Sequence, residues 1–276
     1  MPVTADNFEW ISSLLAKRAG NRLESDKAYL VEARLTPLVR ILDLKSIDAL
    51  VDRLRSSPAP ELERKIVEAM LTHESSFFRD ADTFDTLAAQ IFPRLIERRR
   101  DCRELTIWSA ACAAGQEPYS VAMLLREQFP EICDSWSVKI IASDLSRPML
   151  EQARSGSYNE IKSQRGLSPE RRRRFFRHEQ FCWVIHEQLR ESIEFREINL
   201  CTAPPPLPKF DLILLRNVLI YLTPSAQQKV LTRIASCLAS DGCLLLGATE
   251  TVSHESTLFI RDKDYAVPCF RAAANS

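Results

Sequence analysis

The chain has 276 residues, 45% of them hydrophobic, with 37 basic and 37 acidic side chains and a formal net charge of zero. That length and apolar content suit one large or two smaller packed domains, and the charge balance gives no global field for nucleic acid or an anionic membrane. The longest apolar runs, such as FDLILLRNVLIYL with Arg216 and Asn217 inside it, fall well below the roughly 20 residues that span a bilayer. In chain order, residues 1–85 read as helices only. NFEWISSLLAKRAG, KAYLVEARLTPLVRIL, SIDALVDRLRSS and APELERKIVEAMLTHESSFF each repeat apolar residues at three-and-four spacing. Gly20 stops the first, Ser46 is placed to cap the third, and SSPAP ends it.

From residue 86 onward the pattern alternates. ELTIWSA, VKIIASD, IEFREINL, FDLILLRN and GCLLLGAT are strand candidates with helical stretches between them, which predicts a parallel, doubly wound α/β sheet over 86–276. The link from IIASDLS to IEFREINL is too long for one crossover. It holds a basic run, SPERRRRFFRHEQ, and a strand-like FCWVIHE, so a small β-rich subdomain inserted at about 170–195 is expected. The eight cysteines are scattered without a CxxC pair, and several lie in apolar runs. That pattern predicts reduced thiols in a cytoplasmic protein, with no disulfide framework and no metal site. MPVTADNFEW has neither the basic nor the apolar region of a signal peptide.

The first strand leads into WSAACAAGQEP, a small-residue turn ahead of a helix. Such turns usually carry several glycines so that backbone amides can reach a pyrophosphate. Here Gly115 stands among four alanines, and Glu117 would repel a pyrophosphate. A ligand with a cationic amino group fits better, and S-adenosylmethionine (SAM) is one: its carboxylate suits the helix N-terminus and its amino group Glu117. Glu117 equally suits a role as a plain complement to the helix dipole. Asp144 closes the second strand, where a carboxylate can accept both ribose hydroxyls or cap the next helix. Asn199 and Leu200 follow the third strand, and Arg216, Asn217 and Tyr221 follow the fourth. Strand carboxyl ends are where open α/β sheets bind ligands.

THESSFFRD (72–80), WSAACAAGQEPYSVAM (108–123), IASDLS (141–146), REINL (196–200) and FDLILLRNVLIYL (210–222), in this order, resemble the CheR-type chemotaxis receptor methyltransferases. The resemblance implies a helical N-terminal domain over 1–85 and a SAM-dependent methyltransferase domain over 86–276 carrying a β-rich insertion. It implies methyl transfer from SAM to glutamate side chains of chemoreceptor cytoplasmic helices, giving methyl esters and S-adenosylhomocysteine. It implies SAM contacts from His73, Ser75, Arg79, Glu117, Asp144, Asn199, Leu200, Asn217 and Val218, and catalytic roles for Arg79 and Tyr221. The family commonly has Asn and Thr where this chain has His73 and Ser75. The insertion, FFRHEQFCWVIHE, is short and free of glycine, unlike the longer loop of members that dock on a receptor's C-terminal tether. Direct binding to the receptor stalk by a monomeric enzyme is therefore expected, with Arg171–Arg174 as a patch for acidic receptor helices. A small-molecule methyltransferase and a SAM-binding sensor are the alternatives of the same fold.

Overall fold

The computed structural model describes residues 3–203, 205–252 and 257–273. The chain packs as two units, Met1–Thr72 with Tyr221–Val230, and His73–Ile220 with Leu231–Ser276. The sequence reading puts the first boundary at 85, whereas the packing divides between Thr72 and His73.

Four helices make up most of the first unit: α1 (Ala5–Ala19), α2 (Ala28–Ile41), α3 (Ile47–Ser56) and α4 (Pro60–Met70). Their three-and-four apolar positions form its core, with Ile11, Val31, Leu35, Leu50 and Ile66 fully buried. Gly20 ends α1 in the left-handed region at φ 70°, and its N–H donates to the Ala16 carbonyl. Ser46 caps α3, accepting the Ala49 N–H at 3.1 Å. The fourth helix is shorter than its apolar pattern suggests. The Arg34 guanidinium donates to the Met70 carbonyl and, at 3.1 Å, to Thr72 Oγ1, so the chain leaves the helix there. The returning segment 221–223 also joins this unit. Arg22 N–H donates to the Tyr221 carbonyl, and Thr223 N–H to the Gly20 carbonyl, each at 2.8 Å.

In the second unit the strands are β1 (Glu104–Ala110), β2 (Ser137–Asp144), β3 (Ser157–Asn159), β4 (Phe176–Glu179), β5 (Cys182–Ile185), β6 (Ile193–Glu197), β7 (Phe210–Leu215), β8 (Leu238–Leu246), β9 (Phe259–Arg261) and β10 (Cys269–Ala272). Seven form the main sheet in the order β6-β2-β1-β7-β8-β10-β9. The five strands from β6 to β8 run parallel, as the alternating pattern predicts. The far edge does not: β10 is antiparallel to both β8 and β9. Only seven residues join β9 to β10, too few for a crossover helix, so that pair must fold back. All six residues of β7 are buried, which is why its sequence shows no alternation and is apolar apart from Asp211, whose carboxylate is met by Arg99 and the Thr106 N–H. A second, three-stranded sheet in the order β3-β5-β4 draws its first strand from Ser157, upstream of the expected insertion.

Candidate functional site

Two alanines take the backbone geometry usually left to glycine in the turn after β1. Ala111 and Ala113 have φ of 58° and 48°, and Gly115 has 88°. Each alanine in this region costs about 1 kcal/mol or more, so the surroundings must hold it. Cys112 N–H donates to the Ser143 carbonyl at 2.8 Å, Ala113 N–H to Asp144 Oδ2 at 2.8 Å, and Tyr158 of β3 donates its hydroxyl to the Ala114 carbonyl at 2.6 Å. Gly115 has no such freedom to change, because a Cβ there would stand 2.9 Å from that of Ala153. Of the eight non-glycine residues with positive φ among those described, five (Phe78, Asp80, Ala111, Ala113, Asn217) lie in segments that carry candidate site residues. Strain of this kind concentrates at functional sites.

Asp144 is buried at the end of β2. Besides Ala113 it accepts the Ser146 N–H on Oδ1 at 2.8 Å, an Asx turn ahead of the helix Arg147–Ser155, whose N-cap is Ser146 and has no side-chain cap bond. Burial pushes its carboxyl above the usual aspartate range, while the Ser146 and Ala113 amides and the nearby His73 ring pull it back. Each Asp144 oxygen has a second lone pair, so these two bonds leave acceptor capacity for hydroxyl donors.

Glu117 lies in the first turn of the helix Gln116–Gln128. Its Oε1 accepts from Ser109 Oγ at 2.7 Å and its Oε2 from Arg216 Nη1 at 2.9 Å. Arg216, with a side chain only 1% exposed, also donates through Nη2 to Asp80 Oδ2 at 2.8 Å and to the Arg79 carbonyl at 2.6 Å. One guanidinium thus ties the segment 73–80 to the strand-end turn. The cluster of Asp80, Arg216 and Glu117 keeps one formal negative charge in excess, which suits a cationic ligand group. Two buried atoms beside it, Arg216 Nε and Gln116 Oε1, have no partner among the described residues. A donor and an acceptor left open match an amino acid's carboxylate and ammonium. Sequence reasoning put Arg216 at the strand-end crevice without a cofactor or catalytic role and missed Gln116, although both stand inside quoted motifs.

Arg79 is half-buried, and its Nη1 donates to the Glu74 carbonyl at 3.0 Å. The pairing with Asp80 that its spacing allows does not form, because Asp80 goes to Arg216 and Glu74 to Arg165. Ser75, also half-buried, lies between His73 and Arg79 in this segment. Asn199 follows β6, where its Oδ1 accepts the Cys201 N–H at 2.9 Å, and the Leu200 carbonyl accepts from Arg233 at 2.7 Å. Asn217, at φ 57°, and Val218 follow β7, and their amides donate to the buried Glu250 carboxylate at 2.6 and 2.9 Å. Tyr221 packs in the first unit, so the two catalytic candidates, Arg79 and Tyr221, fall in different units. Among the described residues no group of His, Cys, Asp and Glu could hold a metal ion.

The arginine run is less available than its sequence suggests. Arg171 pairs with Glu127 at 2.9 Å and lies 3.8 Å over the Phe78 ring. Arg172 pairs with Glu160 at 2.6 Å and lies over Trp183, and Arg173 reaches Glu170 at 3.3 Å. Three of the four charges are met inside the chain.

Comparison with known proteins decides the identity of this arrangement. The model of the CheR methyltransferase SAM-binding domain matches residues 73–265, and that of the CheR methyltransferase all-alpha domain matches residues 6–71. The chain belongs to the CheR methyltransferase family. Chemotaxis protein methyltransferase 1 of Pseudomonas aeruginosa is 38% identical over 251 residues, 90% of this chain and 91% of the relative. Chemotaxis protein methyltransferase Cher2 of Pseudomonas putida is 36% identical over 252 residues, 90% of each. The Escherichia coli chemotaxis protein methyltransferase is 34% identical over 256 residues, 90% of this chain and 85% of the relative. This CheR-family chain is a SAM-dependent methyltransferase.

Proposed function

We propose that the enzyme esterifies glutamate side chains on the cytoplasmic helices of chemoreceptors, acting in the cytoplasm as a monomer and leaving S-adenosylhomocysteine as product. The state of Arg79 carries this reading. Its guanidinium is half-buried and held by a backbone carbonyl, while Asp80 is paired with Arg216 and Glu74 with Arg165. A guanidinium fork held this way suits an incoming carboxylate. The likeness to three chemotaxis protein methyltransferases supports a substrate within the chemotaxis machinery.

Within this reading the chain's residues mostly position groups. A glutamate carboxylate, with an ordinary pKa near ~4.3, is already the nucleophile at neutral pH, so no general base is required. When bound, SAM supplies an electrophilic methyl group on a cationic sulfonium. Glu117, steadied by Ser109 and Arg216, offers its remaining lone pairs to the amino group, and the start of the helix Gln116–Gln128 receives the carboxylate. Asp144 accepts ribose hydroxyls alongside His73. We assign further cofactor contacts to Ser75, Arg79, Asn199, Leu200, Asn217 and Val218 on the family resemblance. A role for Tyr221 rests on that resemblance alone, and Tyr221→Phe tests it. Arg79→Ala should lower methyl transfer at saturating SAM by about 100-fold or more, with a far smaller change in S-adenosylhomocysteine affinity. Weakened product binding with normal turnover at saturation would sink the substrate-clamp role.

A further inference from the structure

Glu250 has no part in the site motifs, yet it is one of the most heavily engaged carboxylates in the second unit. It is 5% exposed and follows β8. Its Oε1 accepts the N–H groups of Val218 at 2.9 Å, Leu219 at 2.8 Å and Ile220 at 3.4 Å. Its Oε2 accepts those of Asn217 at 2.6 Å and Gly247 at 2.9 Å. Four consecutive amides after β7 therefore converge on one side chain about 30 residues away. Successive N–H groups around a left-handed residue form an anion nest, and here Asn217, at φ 57°, sits in one filled by the chain's own carboxylate.

Gly247 completes the arrangement. A Cβ there would stand 2.7 Å from Glu250 Oε2, 2.9 Å from Asn217 Nδ2 and 3.0 Å from the Asn217 nitrogen. The missing side chain at 247 is what lets the Asn217 amide and the Glu250 carboxylate pack together. Asn217 pays for a left-handed backbone without being glycine, and that geometry persists only if its surroundings over-determine it.

We propose that Glu250 is a positioning residue for the cofactor. Its carboxylate sets the backbone of 217–220 in the one conformation that presents Asn217 and Val218 to SAM. The inference rests on the assignment of those two residues to the cofactor made above. An acceptor on both oxygens is required, because all five hydrogen bonds to the carboxylate come from N–H donors. Gln at this position keeps the shape but turns an NH2 group toward amide hydrogens.

The test is calorimetric titration of S-adenosylhomocysteine into full-length Glu250→Gln, Gly247→Ala and Asn217→Ala, well below each variant's unfolding midpoint. SAM and receptor kinetics are measured alongside. The expected result for Glu250→Gln is a Kd raised about tenfold or more, the effect of stranding two or three buried donors. The KM for SAM should rise with it, while kcat at saturation and the KM for receptor stay within about threefold. Gly247→Ala, which presses on the same pair of groups, should show the same split. A folded Glu250→Gln with unchanged Kd, or with Kd, kcat and receptor KM all failing together, would overturn the proposal. So would failure of both Glu250→Gln and Gly247→Ala to fold, which would make the cluster a stability element. An unchanged Kd in Asn217→Ala would instead remove the cofactor assignment of the turn. An effect there with none in Glu250→Gln would remove the role of Glu250 alone.

Discussion

Arg216 and Asp144 show how much single side chains can hold at once. Arg216 spends its donors on Asp80, Glu117 and the Arg79 carbonyl, so the candidate substrate clamp and the candidate amino-group partner share one guanidinium. Asp144 links the turn after β1, the helix after β2 and His73. Because burial raises the Asp144 carboxyl above its ordinary range, its protonated form is more favoured in the folded protein than in the unfolded chain. Its share of stability is present below the ordinary aspartate range and is lost as pH rises through the raised value. Ribose binding by Asp144 needs the ionised form, so S-adenosylhomocysteine affinity should move the other way and fall as pH drops through that window. Titrations from neutral pH downward should show this decline in the wild type, with a flatter profile in Asp144→Asn. A profile identical in both would remove Asp144 from ribose binding. Glu117 and Asp144 were legible in the sequence because they stand at a helix start and a strand end, positions with a fixed relation to the ligand crevice. Glu250 was not, because no local spacing rule joins a residue to amides some 30 positions earlier.

Among the elements, the periodic helices of the first unit and the five parallel strands follow their sequence patterns closely. Where the structure departs, a tertiary contact has overruled a local signal. The fourth helix stops at Met70 because Arg34 takes its terminal carbonyl. The edge strands β9 and β10 are three and four residues long, too short to show alternation. The turn after β1 has one glycine where several are usual, yet Ala111 and Ala113 adopt left-handed geometry because Ser143, Asp144 and Tyr158 hold it. The sheet has its own clamp away from the site. Arg99 donates Nε to Asp211 Oδ1 at 2.7 Å and both terminal nitrogens to Asp241, and Asp211 Oδ2 accepts the Thr106 N–H at 2.8 Å. One arginine thereby joins the end of the helix Phe92–Arg99 to β1, β7 and β8. Arg99→Ala strands the largely buried Asp211, although the half-exposed Asp241 recovers solvation. Denaturant melts should show a loss of about 2–3 kcal/mol, with S-adenosylhomocysteine affinity unchanged. A loss below about 0.5 kcal/mol would place the cluster among surface ion pairs of little weight.

For the whole molecule, both family domains are present, and no helix among the described residues is long and apolar enough to cross a membrane. Composition and motif order were enough to read the α/β class and the cofactor from the sequence, whereas the unit boundary was not visible. Helical periodicity runs on through the residues after Thr72, and only packing assigns them to the second unit. The insertion is a small sheet whose β4–β5 hairpin turns at Gln180 and Phe181, without a longer glycine-bearing loop. On this account a receptor's isolated C-terminal pentapeptide should not bind measurably, and a receptor lacking that tail should still be methylated. Since three of the four arginines at 171–174 are paired within the chain, Arg173→Glu and Arg174→Glu together should change receptor KM by less than about twofold. Micromolar tail binding, or loss of methylation on tail deletion, would return docking to the inserted sheet. The central claim is the reaction itself, and it is tested most directly by following radiolabelled methyl from SAM onto receptor cytoplasmic fragments. Label that is released as methanol by mild base, and lost when the acceptor glutamates are replaced by alanine, is the predicted result. Base-stable label, or no transfer to any receptor fragment by a protein that binds SAM, would contradict it.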